Sequence, residues 1–111
     1  MAVRRLAHAM GYRYRLHGKN LPGKPDLVFS SRRKVIFVHG CFWHQHRGCK
    51  AAHVPRSNLD YWLPKLARNK ARDTRSKREL RRMGWDWLVV WECETPDTKA
   101  LVKRLRGFLN R

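Results

Sequence analysis

The sequence predicts a single α/β domain over residues 1–111, built as a mixed β-sheet with flanking helices. Three observations carry that prediction. Short apolar segments with strand character occur in both halves of the chain. Segments with helical period stand before, between and after them, so the order is helix, strand, strand, strand, irregular loop, helix, strand, helix. No repeat, low-complexity tract or linker divides the 111 residues, a length that suits one modest core.

The first helix rests on Val3, Leu6, Ala7 and Met10, begins at Met1 and stops at Gly11. Tyr12, Tyr14 and Leu16 alternate with Arg13 and Arg15, the pattern of a half-buried strand. Residues 17–24 are a glycine-containing loop. Pro25 then precedes the short strand Asp26–Phe29, and a turn over Ser30–Arg33 leads to a second strand, Lys34–His39, as its hairpin partner. Residues 40–57 have no period. Asn58–Met83 reads as one long helix closed by Gly84, and Trp85–Glu92 as a strand. Thr95-Pro96-Asp97 has the form of an N-cap followed by Pro at the first helical position, opening a last helix to about Leu109.

Composition narrows the function. Lys and Arg number 26 against 8 acids, a net charge of +18, which suits a polyanionic partner; nucleic acid is the commonest. No apolar run approaches a membrane span, and Met1 opens no signal-peptide h-region. The three cysteines, Cys41, Cys49 and Cys93, are an odd count in a chain with no visible secretory signal, so a metal accounts for them better than a disulfide framework does.

Two of those cysteines and three histidines fall in the loop over residues 40–57, which a bound metal would order. Cys41, His46 and Cys49 lie close in sequence, and Cys93 ends the late strand. Three thiolates with one imidazole make a closed tetrahedral shell typical of structural Zn2+, and on spacing alone His44 or His53 could stand in for His46.

Asp26 opens an apolar strand in an acid-poor chain. One reading is a Mg2+ ligand, with water and phosphate completing the shell; the other is an ordinary strand-edge aspartate. Many nucleases carry Pro-Asp on one strand and Glu-x-Lys on its hairpin partner. Here Phe37 and His39 hold those partner positions, so one side-chain carboxylate would share the metal with backbone or water oxygens. On the long helix, Leu59, Trp62, Leu63, Leu66, Leu80 and Met83 form an apolar stripe, and Asp73 falls on it. A short carboxylate on such a face needs a partner, either an arginine or a loop histidine that it would orient as a general base.

Three blocks draw these residues together: Leu21-Pro22-Gly23-Lys24-Pro25-Asp26, Val35-Ile36-Phe37-Val38-His39-Gly40-Cys41-Phe42-Trp43-His44 and Val89-Val90-Trp91-Glu92-Cys93. They resemble the signature blocks of the very-short-patch repair (Vsr) endonucleases, from about Ala2 to the last helix. The resemblance implies a restriction-endonuclease-like fold and a Mg2+-dependent nick in duplex DNA at a T:G mismatch. It assigns Asp26 and the Val38 carbonyl to Mg2+. It makes His39 and His44 the active-site histidines, with Asp73 paired to His44. Cys41, His46, Cys49 and Cys93 become the zinc ligands, and Phe42, Trp43 and Trp62 the aromatic wedge beside the mismatch. It further implies a cytoplasmic, nucleoid-associated protein of bacterial type. Such a protein is expected to act as a monomer on mismatched double-stranded DNA, alongside other mismatch-repair proteins and without a membrane.

One departure stands out. Relatives carry a further N-terminal segment with a catalytic-site glutamate and a DNA-gripping helix, whereas no acid precedes Asp26 in this sequence. Two alternatives follow: a zinc-stapled DNA-binding module without catalysis, or a nuclease without mismatch preference.

Overall fold

The computed structural model describes residues 2–110, so the expected helix start at Met1 lies outside the described residues. Among these, the chain forms α1 (Ala2–Ala9), β1 (Arg15–Leu16), β2 (Leu27–Phe29), β3 (Lys34–His39), α2 (Leu59–Arg82), β4 (Asp86–Trp91) and α3 (Thr98–Asn110). The strands join one sheet in the order β1-β2-β3-β4. The β1/β2 and β2/β3 pairs are antiparallel and the β3/β4 pair is parallel. The short turn between β2 and β3 permits a hairpin, while the parallel pair requires a long crossover, which residues 40–57 and α2 supply. The sheet is therefore mixed and flanked by helices, as the element order predicts. No helix among the described residues is long and apolar enough to cross a membrane.

Strand alternation divides the core between two faces. On one, Leu27, Phe29, Ile36 and Val90 pack against Val3 and Ala7 of α1 and Leu101, Leu105, Phe108 and Leu109 of α3. On the other, Val28, Val35, Phe37 and Val89 pack against Leu80 of α2, with Trp85, Trp87 and Trp91 alongside. Fully burying each aliphatic side chain is worth about 1.5–3 kcal/mol, so these clusters fix which face α2 covers.

Four details differ from the sequence reading. The strand expected over Tyr12–Leu16 contracts to Arg15–Leu16. Tyr12 and Tyr14 instead meet Phe29 edge-on at 6.4 and 6.1 Å, with their hydroxyls bonded to Asn110 and the Arg4 carbonyl. The sheet holds them by ring packing where a ladder was expected. Thr95 is not the cap of α3; Asp97 is, its Oδ1 accepting the Ala100 N–H at 3.2 Å, while Thr95 Oγ1 donates back to the Glu92 carbonyl at 2.8 Å. The stripe on α2 is only partly buried: Leu66 and Leu80 are covered, but Leu59, Leu63 and Met83 are 43%, 53% and 47% exposed. A 24-residue helix runs roughly 36 Å, against roughly 20 Å for a six-residue strand, so the sheet cannot cover its whole length. Trp62 belongs to neither core cluster.

Two further features position the site. Gly23 passes beneath α2 with φ +78°, and a Cβ there would lie 2.9 Å from Ser76 Cβ and 3.0 Å from the Phe37 ring. Only glycine admits the loop that carries Asp26 so close to the helix. Side chains occupy three backbone groups on the outer edge of β4. Asp86 Oδ1 accepts the Trp87 N–H, Glu94 Oε1 accepts the Trp91 N–H, and Arg104 Nη2 donates to the Val89 carbonyl at 3.1 Å. Arg104 is held in turn by Glu94 at 2.7 Å.

Candidate active site and metal centre

The site grows from the C-terminal end of β3. Alternation sends His39 to the same face as Phe37, towards α2, and its ring is buried. The chain then turns tightly, with the His44 N–H bonded to the Gly40 carbonyl and the His46 N–H to the Cys41 carbonyl. Gln45 adopts φ +48°, and its Nε2 ties the Phe42 and Ala52 carbonyls together at 2.7 and 3.1 Å. This turn lays His44 flat on His39, with centroids 3.7 Å apart and planes 6° from parallel. From α2, Asp73 Oδ2 meets His44 Nδ1 at 2.5 Å. The partner that the helix pattern demanded for Asp73 is thus a loop histidine.

Electrostatics follow from this stack. Burial, then the charge of His44, lowers the pKa of His39 from 6.5 to about 4, so His39 is neutral at neutral pH. Burial opposes ionisation of Asp73, but the His44 hydrogen bond and the charges of His44 and His39 outweigh it and leave Asp73 below its ordinary pKa. The His39 Nδ1 atom is buried and has no hydrogen-bond partner among the described residues. One ligand atom from each of His39, His44 and Asp73 lies within 4.8 Å of the others.

Asp26 is not part of that trio. Its Oδ2 accepts the Val38 N–H at 2.6 Å, and its own N–H donates to the Ile36 carbonyl. The β2/β3 register ends at Leu27↔Ile36, and the Asp26 N–H still reaches the Ile36 carbonyl there. Pro25 has no N–H with which to carry the ladder further. The carboxylate of Asp26 therefore meets the Val38 backbone where the ladder ends.

The second cluster comprises Cys41, His46, Cys49 and Cys93, whose ligand atoms also lie within 4.8 Å of one another. Of the three histidines that spacing allowed, the structure brings His46 to the thiols; His44 belongs to the Asp73 pair, and His53 is outside both groups. His46 stacks on Trp91 at 4.2 Å, which fixes its ring. Desolvation, then the Cys41 and Cys49 thiols, pushes Cys93 up to about 11, whereas the Ala51 backbone lowers Cys49. Three neighbouring thiolates repel; a divalent cation would reverse that balance.

Phe42, Trp43 and Trp62 form one aromatic group, with ring centroids 5.3–5.8 Å apart. Trp43 is 44% exposed. Sequence reasoning assigned no role to Trp91, Tyr61, Gln45 or Lys77. Trp91 touches His39 and His46, Tyr61 extends the aromatic group against Trp62, and Lys77 lines the reactive cleft. Trp91 stands two residues from Cys93, and strand alternation could have marked it.

A strongly basic α/β domain that sets a carboxylate-oriented histidine pair beside a thiol-rich cluster belongs to the class of small nucleases. Comparison with known proteins specifies the class further. The family model described as DNA mismatch endonuclease Vsr matches residues 1–50. The type II nicking enzyme V.XorIIP of Xanthomonas oryzae pv. oryzae is 57% identical over 109 residues, covering 98% of this chain and 79% of that protein. The type II nicking enzyme V.NmeAIP of Neisseria meningitidis is 43% identical over 107 residues, covering 96% and 76%. The DNA mismatch endonuclease Vsr of Escherichia coli is 40% identical over 109 residues, covering 94% and 69%. The chain belongs to the Vsr endonuclease family.

Proposed function

We propose that this chain is a Mg2+-dependent endonuclease with a restriction-endonuclease-like fold that nicks one strand of duplex DNA at a T:G mismatch. The observation that carries the reading is the His44–Asp73 bond with His44 stacked on a buried, neutral His39. Asp73 holds the proton on Nδ1 of His44 and leaves Nε2 to take a proton from the attacking water. His39 offers a neutral ring nitrogen to a phosphate oxygen.

The donors on the chain fit two metals. Asp26 and the Val38 carbonyl are hard oxygens suited to Mg2+, and the first carries a lone pair set not used by the Val38 N–H. When bound there, Mg2+ supplies Lewis-acid stabilisation of phosphate charge. Cys41, His46, Cys49 and Cys93 are the soft set that suits Zn2+, and their grouping across the loop and the end of β4 supports a structural role. The exposed Trp43, with Phe42 and Trp62 behind it, is shaped to enter a base stack, and a mismatched step costs less to open than a paired one. The E. coli relative, whose name specifies a mismatch endonuclease, supports that choice of substrate.

The test is nicking of an end-labelled T:G duplex against a matched duplex, with Mg2+ and with EDTA. Asp26→Ala should lower nicking by orders of magnitude and leave duplex binding in place, because binding rests on Lys and Arg. Asp73→Ala should cost less, since His44 keeps its base and loses only its orientation. Nicking by Asp26→Ala at the wild-type rate would overturn the assignment of the site. Equal nicking of both duplexes would leave a nuclease without mismatch preference, and binding without nicking would leave a DNA-binding module.

A further inference from the structure

The chain reverses at Met83–Gly84, so the C-terminal half of α2 runs beside β4 in the opposite direction. Between them lies a groove of about 550 Å3 lined by Thr74, Lys77, Arg78, Arg81, Arg82 and Trp87. Thr74 and Lys77 also line the cleft that holds His39, His44 and Asp73. The groove is therefore an extension of the reactive cleft. Its floor comes from β4: Trp91 borders the cleft, and Trp87, four residues away on the same face and roughly 13 Å along the strand, borders the groove.

Its charge is one-sided. Four cations line it and no carboxylate does. The His44–Asp73 and Arg104–Glu94 ion pairs include none of the four cations, and of the four the charge of Lys77 acts on Asp73 where groove and cleft meet. Two of the cations are already held in place: Lys77 Nζ stands 4.9 Å from the Trp87 ring centroid and Arg81 Cζ 5.5 Å. A cation set over a ring loses less side-chain freedom when an anion arrives. A positive groove with an aromatic floor, opening from a phosphodiester-cleaving site, matches a sugar–phosphate backbone.

We propose that this groove seats the backbone of the strand being cut. Lys77 takes the phosphate next to the scissile one, and Arg78 and Arg81 take those beyond it on one side of the nick. The proposal rests on the reading of His39, His44 and Asp73 as the reactive site.

Phosphate-ethylation interference on a T:G duplex with no added Mg2+ tests it, since binding is then read without cleavage and without chelating the Cys/His cluster. The wild-type chain should show a block of about two or three consecutive sensitive phosphates in the cut strand, beginning beside the nick position. The double variant Arg78→Ala/Arg81→Ala should lose the phosphates beyond the first and keep the one beside the nick, which Lys77 holds. Its log–log slope of affinity against salt should fall by about two units. Both arginines are exposed on a helix, where alanine is well tolerated, so the fold should hold. A wild-type footprint without the block, or a block and slope that survive both substitutions, overturns the proposal. Failure of the reactive-site reading would instead show as normal nicking by His44→Ala, a separate measurement.

Discussion

His39 and His44 place two titratable rings 3.7 Å apart, one of them buried, and only one has a carboxylate beside it. Burial, then the charge of His44, holds His39 down at about 4. The consequence for stability has a definite sign. Between pH 6.5 and about 4 the unfolded chain binds a proton at His39 that the folded chain refuses, so the contribution of His39 to stability is full above pH 6.5 and declines as pH falls towards 4. Thermal unfolding of the wild type and of His39→Asn across pH 4 to 7.5 should show a steeper acid loss in the wild type. Acid also releases metal from thiolates, but that is common to both proteins. Parallel curves would mean that His39 carries no such penalty. At this scale the sequence was informative because two candidate site residues are misfits in their surroundings: Asp26 at the start of an apolar strand, Asp73 on an apolar stripe. The stack itself was not legible, since it depends on a turn with Gln45 in the left-handed region, a conformation no spacing rule marks.

The loop over residues 40–57 is the element that most needs its metal. Its regular structure among the described residues is one short 3-10 turn, Lys50–Ala52, and its order rests on the Gln45 bonds and on Cys41, His46 and Cys49 facing Cys93. Purified protein should contain about one zinc per chain, and chelation should lower the melting temperature, because a metal bound only by the folded state stabilises it by mass action. Metal-free protein that melts at the same temperature would remove zinc from the fold. Other elements show how far patterns reach. The expected Asn58–Met83 helix and the observed Leu59–Arg82 agree because Gly84 and the helical period both mark the same stop. The exposed Leu59, Leu63 and Met83 were not predictable, because periodicity reports which way a side chain points and not whether a sheet extends beneath it. The cap of α3 was displaced from Thr95 to Asp97 by competition: the threonine hydroxyl closes the preceding turn, leaving the aspartate to hold the helix.

For the whole molecule, +18 of charge guarantees self-repulsion, yet repulsion alone does not protect a sheet edge. β4 is such an edge, and Asp86, Glu94 and Arg104 occupy three of its outward backbone groups, the Trp87 and Trp91 N–H and the Val89 carbonyl. Arg104→Ala should uncover the Val89 carbonyl and release Glu94. Sedimentation velocity at moderate salt should then show self-association in the variant and a single 13.3 kDa species in the wild type. A variant that stays a monomer would show that the edge needs no such guard. The capped edge bears on the outcome for the DNA. Two copies joined edge to edge would bring two reactive clefts to one duplex, with the chance of cutting both strands. A chain that meets the duplex as a single copy would bring one cleft, leaving the opposite strand as a template for resynthesis.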